Sequence, residues 1–138
     1  TLEALGVDLK AHPAIEVREY IYDMPVVMAA ADLVLCRAGA STIAELTAIA
    51  KPSVLVPSPN VVADHQTKNA QVLAQAGGAV LLPEKECSGE KLYQVASDLL
   101  THKEKRDAMG AALRRMAVPD AGEQIYRTLI QLAHKGGR

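Results

Sequence analysis

The run Leu33-Val-Leu-Cys36-Arg37-Ala-Gly39-Ala40-Ser41-Thr42-Ile-Ala-Glu45-Leu46 gathers several chemical types into one short span. Apolar, strand-forming residues end at a cationic side chain. A small-residue turn follows and opens directly into a helical pattern. Such a junction aims backbone N–H groups, and the positive end of a helix dipole, at one point that suits phosphate. The N–H groups of Gly39, Ala40, Ser41 and Thr42 would hold a diphosphate, with the Thr42 hydroxyl as a further donor. Glu45, a turn further in, falls on a helix face where a carboxylate can accept both hydroxyls of a ribose. A plainer reading stands beside this one: Thr42-x-x-Glu45 is also a capping box that needs no ligand. Neither the P-loop lysine nor a complete GxGxxG is present, which excludes the common triphosphate and dinucleotide motifs.

Two more loops carry polar or aromatic groups. In Ser58-Pro-Asn-Val-Val-Ala-Asp64-His65-Gln66-Thr-Lys-Asn69-Ala70, the side chains of Asp64, His65, Gln66 and Asn69 surround a helix start. Amides and imidazole supply the fixed donors and acceptors that sugar hydroxyls need. The alternative is Asp64 as an N-cap with solvated neighbours. His65 has no partner carboxylate and nucleophile in sight, so the sequence gives no support to a catalytic triad. Tyr20-Ile21-Tyr22-Asp23-Met24 offers an aromatic and an aliphatic residue to sandwich a base, with the main chain of Ile21 reading its edge; core packing with an Asp23 cap is the other option. Ser88-Gly-Glu-Lys91 matches S-x-x-K but reads as a helix N-cap, without the rest of that hydrolase set. Cys36 reads as a small buried residue.

The elements that must position these loops alternate along the chain. Expected strands are Ile15–Tyr20, Leu33–Cys36, Ser53–Pro57 and Ala79–Leu82. Between them lie helical patterns from Asp23 to about Ala31, Thr42 to Ala50, and His65 to Ala76, the last stopped by Gly77-Gly78. A helix remnant is expected through about Ala11. After Pro83 come only helices, over Gly89–Leu100, Lys103–Met116 and Pro119–His134. Short, continuously apolar strands separated by helices describe an α/β, Rossmann-like, doubly wound parallel sheet with a helical C-terminal tail. Ligands of such sheets sit at the carboxyl ends of the strands, where the three loops lie.

Composition narrows the class. The chain has 138 residues, 49% of them hydrophobic, which suits one domain over 1–138. A net charge of −1 gives no electrostatic footprint for nucleic acid. No apolar run approaches a membrane span, and no signal segment is evident. Two cysteines, Cys36 and Cys87, form neither a disulfide framework nor a metal-ligand spacing, so no metal or other cofactor is expected and a reducing cytoplasm is the simplest compartment. Thr1-Leu-Glu-Ala-Leu reads as the interior of a helix, so the domain is expected to be N-terminally truncated.

Taken jointly, Tyr20 to Met24, Ala31 to Leu46, Lys51 to Pro57 and Asp64 to Ala70 resemble the C-terminal half of the MurG family, the UDP-N-acetylglucosamine-dependent transferases of glycosyltransferase family 28. Gly77-Gly78-Ala79 and Val118-Pro119-Asp120-Ala121 fall where the family has similar segments. The resemblance implies the donor-binding half of a two-domain GT-B enzyme. By resemblance, Ile21 would pair with uracil through its main chain, with Tyr20 and Met24 nearby. Gly39, Ala40, Ser41 and Thr42 would hold the diphosphate, with Arg37 supporting their loop. Glu45 would take the ribose, and His65, Gln66 and Asn69 would face the N-acetylglucosamine. The family often has glutamine where His65 stands.

The resemblance further implies an inverting transfer of GlcNAc from UDP-GlcNAc to lipid I, giving lipid II for peptidoglycan, at the cytoplasmic face of the bacterial plasma membrane. The acceptor site, membrane contact and general base belong to the family's N-terminal domain, so the catalytic residue is not assigned and this chain alone is expected to bind donor without turnover. Two alternatives stand beside this reading. One is the donor-binding subunit of a two-component transferase acting on dolichol-linked acceptors. The other is a half-domain of a UDP-sugar 2-epimerase, whose chemistry wants more carboxylates near the sugar than Asp64 alone.

Overall fold

The computed structural model describes Gly6 and residues 8–135. Three short strands, β1 (Val34–Cys36), β2 (Ser53–Leu55) and β3 (Ala79–Leu81), form a parallel sheet in the order β1-β2-β3. Val34 lies opposite Ser53, and Ser53 opposite Ala79. Helix α1 (Met24–Ala30) precedes the sheet, while α2 (Ala40–Ala48) and α3 (His65–Gln75) make the two crossovers. Helices α4 (Gly89–Thr101), α5 (Lys103–Met116) and α6 (Ala121–Lys135) follow β3. The expected α/β architecture and helical tail are therefore present.

Side chains on β2 alternate between two apolar clusters, as the pleat requires. Leu55 packs with Leu46 of α2, Ala70 and Leu73 of α3, and Leu113 of α5. Val54 and the adjoining Val56 pack on the other side with Leu82, Leu99 of α4 and Met109 of α5. Both faces of the sheet are thus covered, which is why the strands read as unbroken apolar runs. The small core residues let the helices approach closely. A Cβ on Gly78 would lie 2.5 Å from Leu113 Cδ2, inside contact distance.

Helices α2 and α3 end alike. Gly77, in the left-handed region at φ 79°, donates to Ala74 O, and Gly78 donates to Leu73 O. This paired pattern is a Schellman motif. At the end of α2, Ala50 donates to Thr47 O and Lys51 to Leu46 O, with Ala50 at φ 53° where a glycine is usual. Helix α6 is amphipathic, and Ile125, Leu129 and Leu132 on it remain exposed.

Three expectations need correction. Ile15–Tyr20 is not a strand; Ile15, Val17 and Tyr20 are all more than half exposed. Its Ile-Glu-Val-Arg-Glu-Tyr sequence carries three charged residues among six, and Arg18 bonds locally, to Glu16 Oε1 at 2.6 Å and Asp23 Oδ1 at 3.5 Å. Helix α2 begins at Ala40, two residues before the expected Thr42, and the last helix begins at Ala121 rather than Pro119. The expected helix remnant falls largely on residues 1–5 and 7, outside the described residues; within it, Leu9–Ala11 forms a single 3₁₀ turn.

Candidate functional site

The earlier start of α2 decides the local reading of the Gly39 turn. Gly39 is the N-cap, in extended conformation at φ −65° and ψ 150°, so Ala40, Ser41 and Thr42 occupy the first three helical positions. The first ladder bond runs from Ile43 N–H to Gly39 O at 2.9 Å. The N–H groups of Ala40, Ser41 and Thr42 therefore lie ahead of the ladder, at the carboxyl end of β1. Thr42 is not an N-cap, and the capping box with Glu45 does not form. Glu45 is exposed in the second turn and makes no side-chain hydrogen bond or ion pair among the described residues. Gly39 contributes by lacking a side chain rather than by an unusual φ: nothing covers the helix start from the cap position.

Arg37 reaches across the strand ends. Its Nη1 donates to Val56 O at 3.2 Å and Pro57 O at 3.4 Å, and to Glu84 Oε2 at 2.5 Å. One guanidinium thus links the exits of β1, β2 and β3, since Glu84 opens the 3₁₀ turn Glu84–Glu86 that follows β3. The hydrogen bond from Arg37 holds the Glu84 carboxyl below its ordinary range. Sequence reasoning placed Arg37 as a support for the loop but missed Glu84. Forty-seven residues separate the partners, and no local spacing signals such a pair.

The loop after β2 is folded by its own polar groups. Gln66 Oε1 accepts from Ser58 N–H at 2.9 Å, and Asn69 Nδ2 donates to Ala38 O at 3.1 Å. Asn69 thereby ties α3 to the turn before Gly39. His65 is exposed, with Nδ1 2.8 Å from Val62 O. Asp64 does stand at the N-cap of α3, but it makes no side-chain cap bond. Ala63 and Asp64 sit at φ 54° and 52°, consecutive left-handed residues that concentrate backbone strain at this loop. Beside it, an open cleft of about 460 Å³ runs between the exits of β2 and β3, lined by Pro57, Asp64, Thr67 and Glu84 among others.

The third loop stands apart. Ile21 is half-buried in a shallow cleft of about 410 Å³ shared with Val17 and Val27. Tyr20 and Tyr22 meet edge to face, with ring centroids 4.8 Å apart, and Met24 begins α1 in an exposed position. Among the described residues no hydrogen bond links Tyr20–Met24 to the Gly39 or Ser58 loops. Other polar groups have structural partners. Ser88 caps α4, its hydroxyl accepting from Lys91 N–H at 3.1 Å. At the opposite edge of the sheet, Lys51 donates to the Ala29 and Ala31 carbonyls, and Arg106 to those of Leu99 and Leu100, neutralising the ends of α1 and α4.

Comparison with known proteins places the fold in a family. Residues 3–125 match the model of the glycosyltransferase family 28 C-terminal domain. A relative from Salinibacter ruber, named as a UDP-N-acetylglucosamine–N-acetylmuramyl-(pentapeptide) pyrophosphoryl-undecaprenol N-acetylglucosamine transferase, is 51% identical over 131 residues, covering 95% of this chain and 35% of its own. A relative of the same name from Oenococcus oeni is 41% identical over 84% of this chain and 31% of its own. The crystal structure of Acinetobacter baumannii MurG superposes with a TM-score of 0.78 at 33% identity, over 85% of this chain and 35% of that one. A glycotransferase of kitacinnamycin, at 22% identity and a TM-score of 0.62, shares the fold. The chain spans about a third of the length of the curated relatives it matches. With a parallel sheet and a family match over residues 3–125, this chain belongs to the glycosyltransferase family 28 C-terminal domains.

Proposed function

We propose that this chain binds UDP-N-acetylglucosamine along the carboxyl edge of its sheet, as the donor-binding part of an inverting transferase that converts lipid I to lipid II. The observation that carries the reading is the start of α2. Three N–H groups precede its ladder behind a cap without a side chain, and the Glu45 carboxylate stands uncommitted one turn on. N–H groups and helix dipole together would stabilise the diphosphate, both bound and as the leaving group, which carries the developing charge. The ribose hydroxyls fall to Glu45. Uracil falls to the main chain of Ile21 with Tyr20 and Met24 beside it, and the sugar to His65, Gln66 and Asn69, on the loop bordering the cleft between β2 and β3. The names of the relatives support GlcNAc as the transferred sugar and a lipid-linked acceptor. Among the described residues no helix is long and apolar enough to cross a membrane. A peripheral place at the cytoplasmic face of the plasma membrane fits an acceptor presented there.

Calorimetric titration with UDP, UDP-GlcNAc, UDP-GalNAc and ADP tests the reading. UDP should bind and ADP should not, with UDP-GlcNAc favoured over UDP-GalNAc. A chain that is folded by circular dichroism yet binds no UDP would refute it.

A further inference from the structure

A continuous path of contacts joins the exit of β3 to the residues assigned to the sugar. Glu84 receives Nη1 of Arg37, and the same nitrogen donates to the carbonyls of Val56 and Pro57. The next residue, Ser58, donates its N–H to Gln66 Oε1, and Asn69 on the same helix returns to Ala38 O, beside Arg37. The path closes on itself through all three strand exits. A guanidinium offers fixed donors in a plane, so the group that orients it also sets where its other partners sit.

We propose that Glu84 is a positioning residue for sugar discrimination. By fixing the Arg37 guanidinium it holds Val56, Pro57 and Ser58, and through Ser58 the Gln66 amide, in the register that distinguishes one amino sugar from its epimer. The inference rests on the nucleotide-sugar reading above. A competing role is electrostatic: a carboxylate near a diphosphate repels it, and its removal would tighten every ligand of equal charge alike. UDP-GlcNAc and UDP-GalNAc have the same charge and differ in the orientation of one hydroxyl. Their affinity ratio therefore cancels the electrostatic contribution and retains the positioning one.

The experiment measures Kd for both ligands, and for UDP, in the wild-type chain, Glu84→Gln and Glu84→Asp. Glutamine removes the charge at nearly constant shape; aspartate keeps the charge and withdraws it by one methylene. Positioning predicts that the preference for UDP-GlcNAc falls about two- to fivefold in both variants, the scale of a half-exposed ion pair. An unchanged ratio in Glu84→Gln overturns the proposal, whether or not the two Kd values move together. A wild-type ratio in Glu84→Asp with a reduced one in Glu84→Gln also supports it, because a carboxylate one methylene shorter then still anchors the guanidinium. If the wild-type chain binds UDP without preferring either sugar, the sugar assignment fails and this inference with it. Failure to bind UDP at all refutes the nucleotide reading itself.

Discussion

Replacing Glu45 by alanine separates ligand binding from helix stability, because the structure gives this carboxylate no structural partner. Gly39 is the cap of α2 and Thr42 its third residue, so Glu45 does not return a bond to the helix start. Its side chain is exposed and unbonded among the described residues. Losing it should change stability by no more than about 0.5 kcal/mol, the usual range for a surface site, since alanine is at least as good a helix former as glutamate. The cost to the ligand is of another order. Hydrogen bonds from ribose hydroxyls to a carboxylate contribute about 1.5–3 kcal/mol. Kd for UDP should therefore rise about ten- to a hundredfold, while the melting temperature without ligand shifts by about a degree or two. The assay pairs calorimetry at fixed ionic strength with thermal melting followed by circular dichroism. A melting temperature lowered by several degrees with UDP affinity unchanged would refute the reasoning and restore Glu45 to a purely helical role.

Other consequences concern the scaffold. Ala50→Gly removes the left-handed strain at the end of α2 and should stabilise the fold by about 0.5–1 kcal/mol, read as a higher midpoint in urea. Gly78→Ala drives a methyl into Leu113, which is fully buried, and should cost about 1–3 kcal/mol by the same measurement. Asp98 accepts from Lys105 Nζ at 2.6 and 2.7 Å, and that bond lowers its carboxyl below the ordinary 3.8. A depressed folded value gives stability that is full above the ordinary value and lost as the pH falls through the folded one. Asp98→Asn should therefore lower the melting temperature slightly at pH 7, and the difference should begin to shrink as the pH falls below about 3.8 and vanish only once it has passed the lower folded value.

How much of this molecule the sequence discloses depends on the range over which each feature is determined. The three strands were legible because each is an unbroken apolar run; the central one, Val54-Leu55-Val56, is buried on both faces. The stop of α3 was legible because a left-handed residue beside a close helix contact favours Gly77-Gly78. The start of α2 was misread by two residues because Thr42-x-x-Glu45 satisfies a local rule that Gly39 satisfies better in this turn. Ile15–Tyr20 was misread because three charged residues among its six leave neither an unbroken apolar run nor one apolar face for a neighbouring strand to cover. The same limit governs the site.

Helix starts, a carboxylate one turn in and polar residues at a strand exit are local facts, visible as spacing. What holds them in register is not local. Arg37 to Glu84 spans 47 residues and Asn69 to Ala38 spans 31, distances over which no periodicity constrains identity. A chain with the same motifs but an apolar residue at position 84 would read identically and present the same strand exits without their common guanidinium anchor. The motif therefore predicts which ligand class the edge can hold. In the positioning role proposed for Glu84, the long-range pair sets how sharply the edge discriminates within that class, so discrimination, rather than nucleotide affinity, is the property in which a change at Glu84 should first be detected.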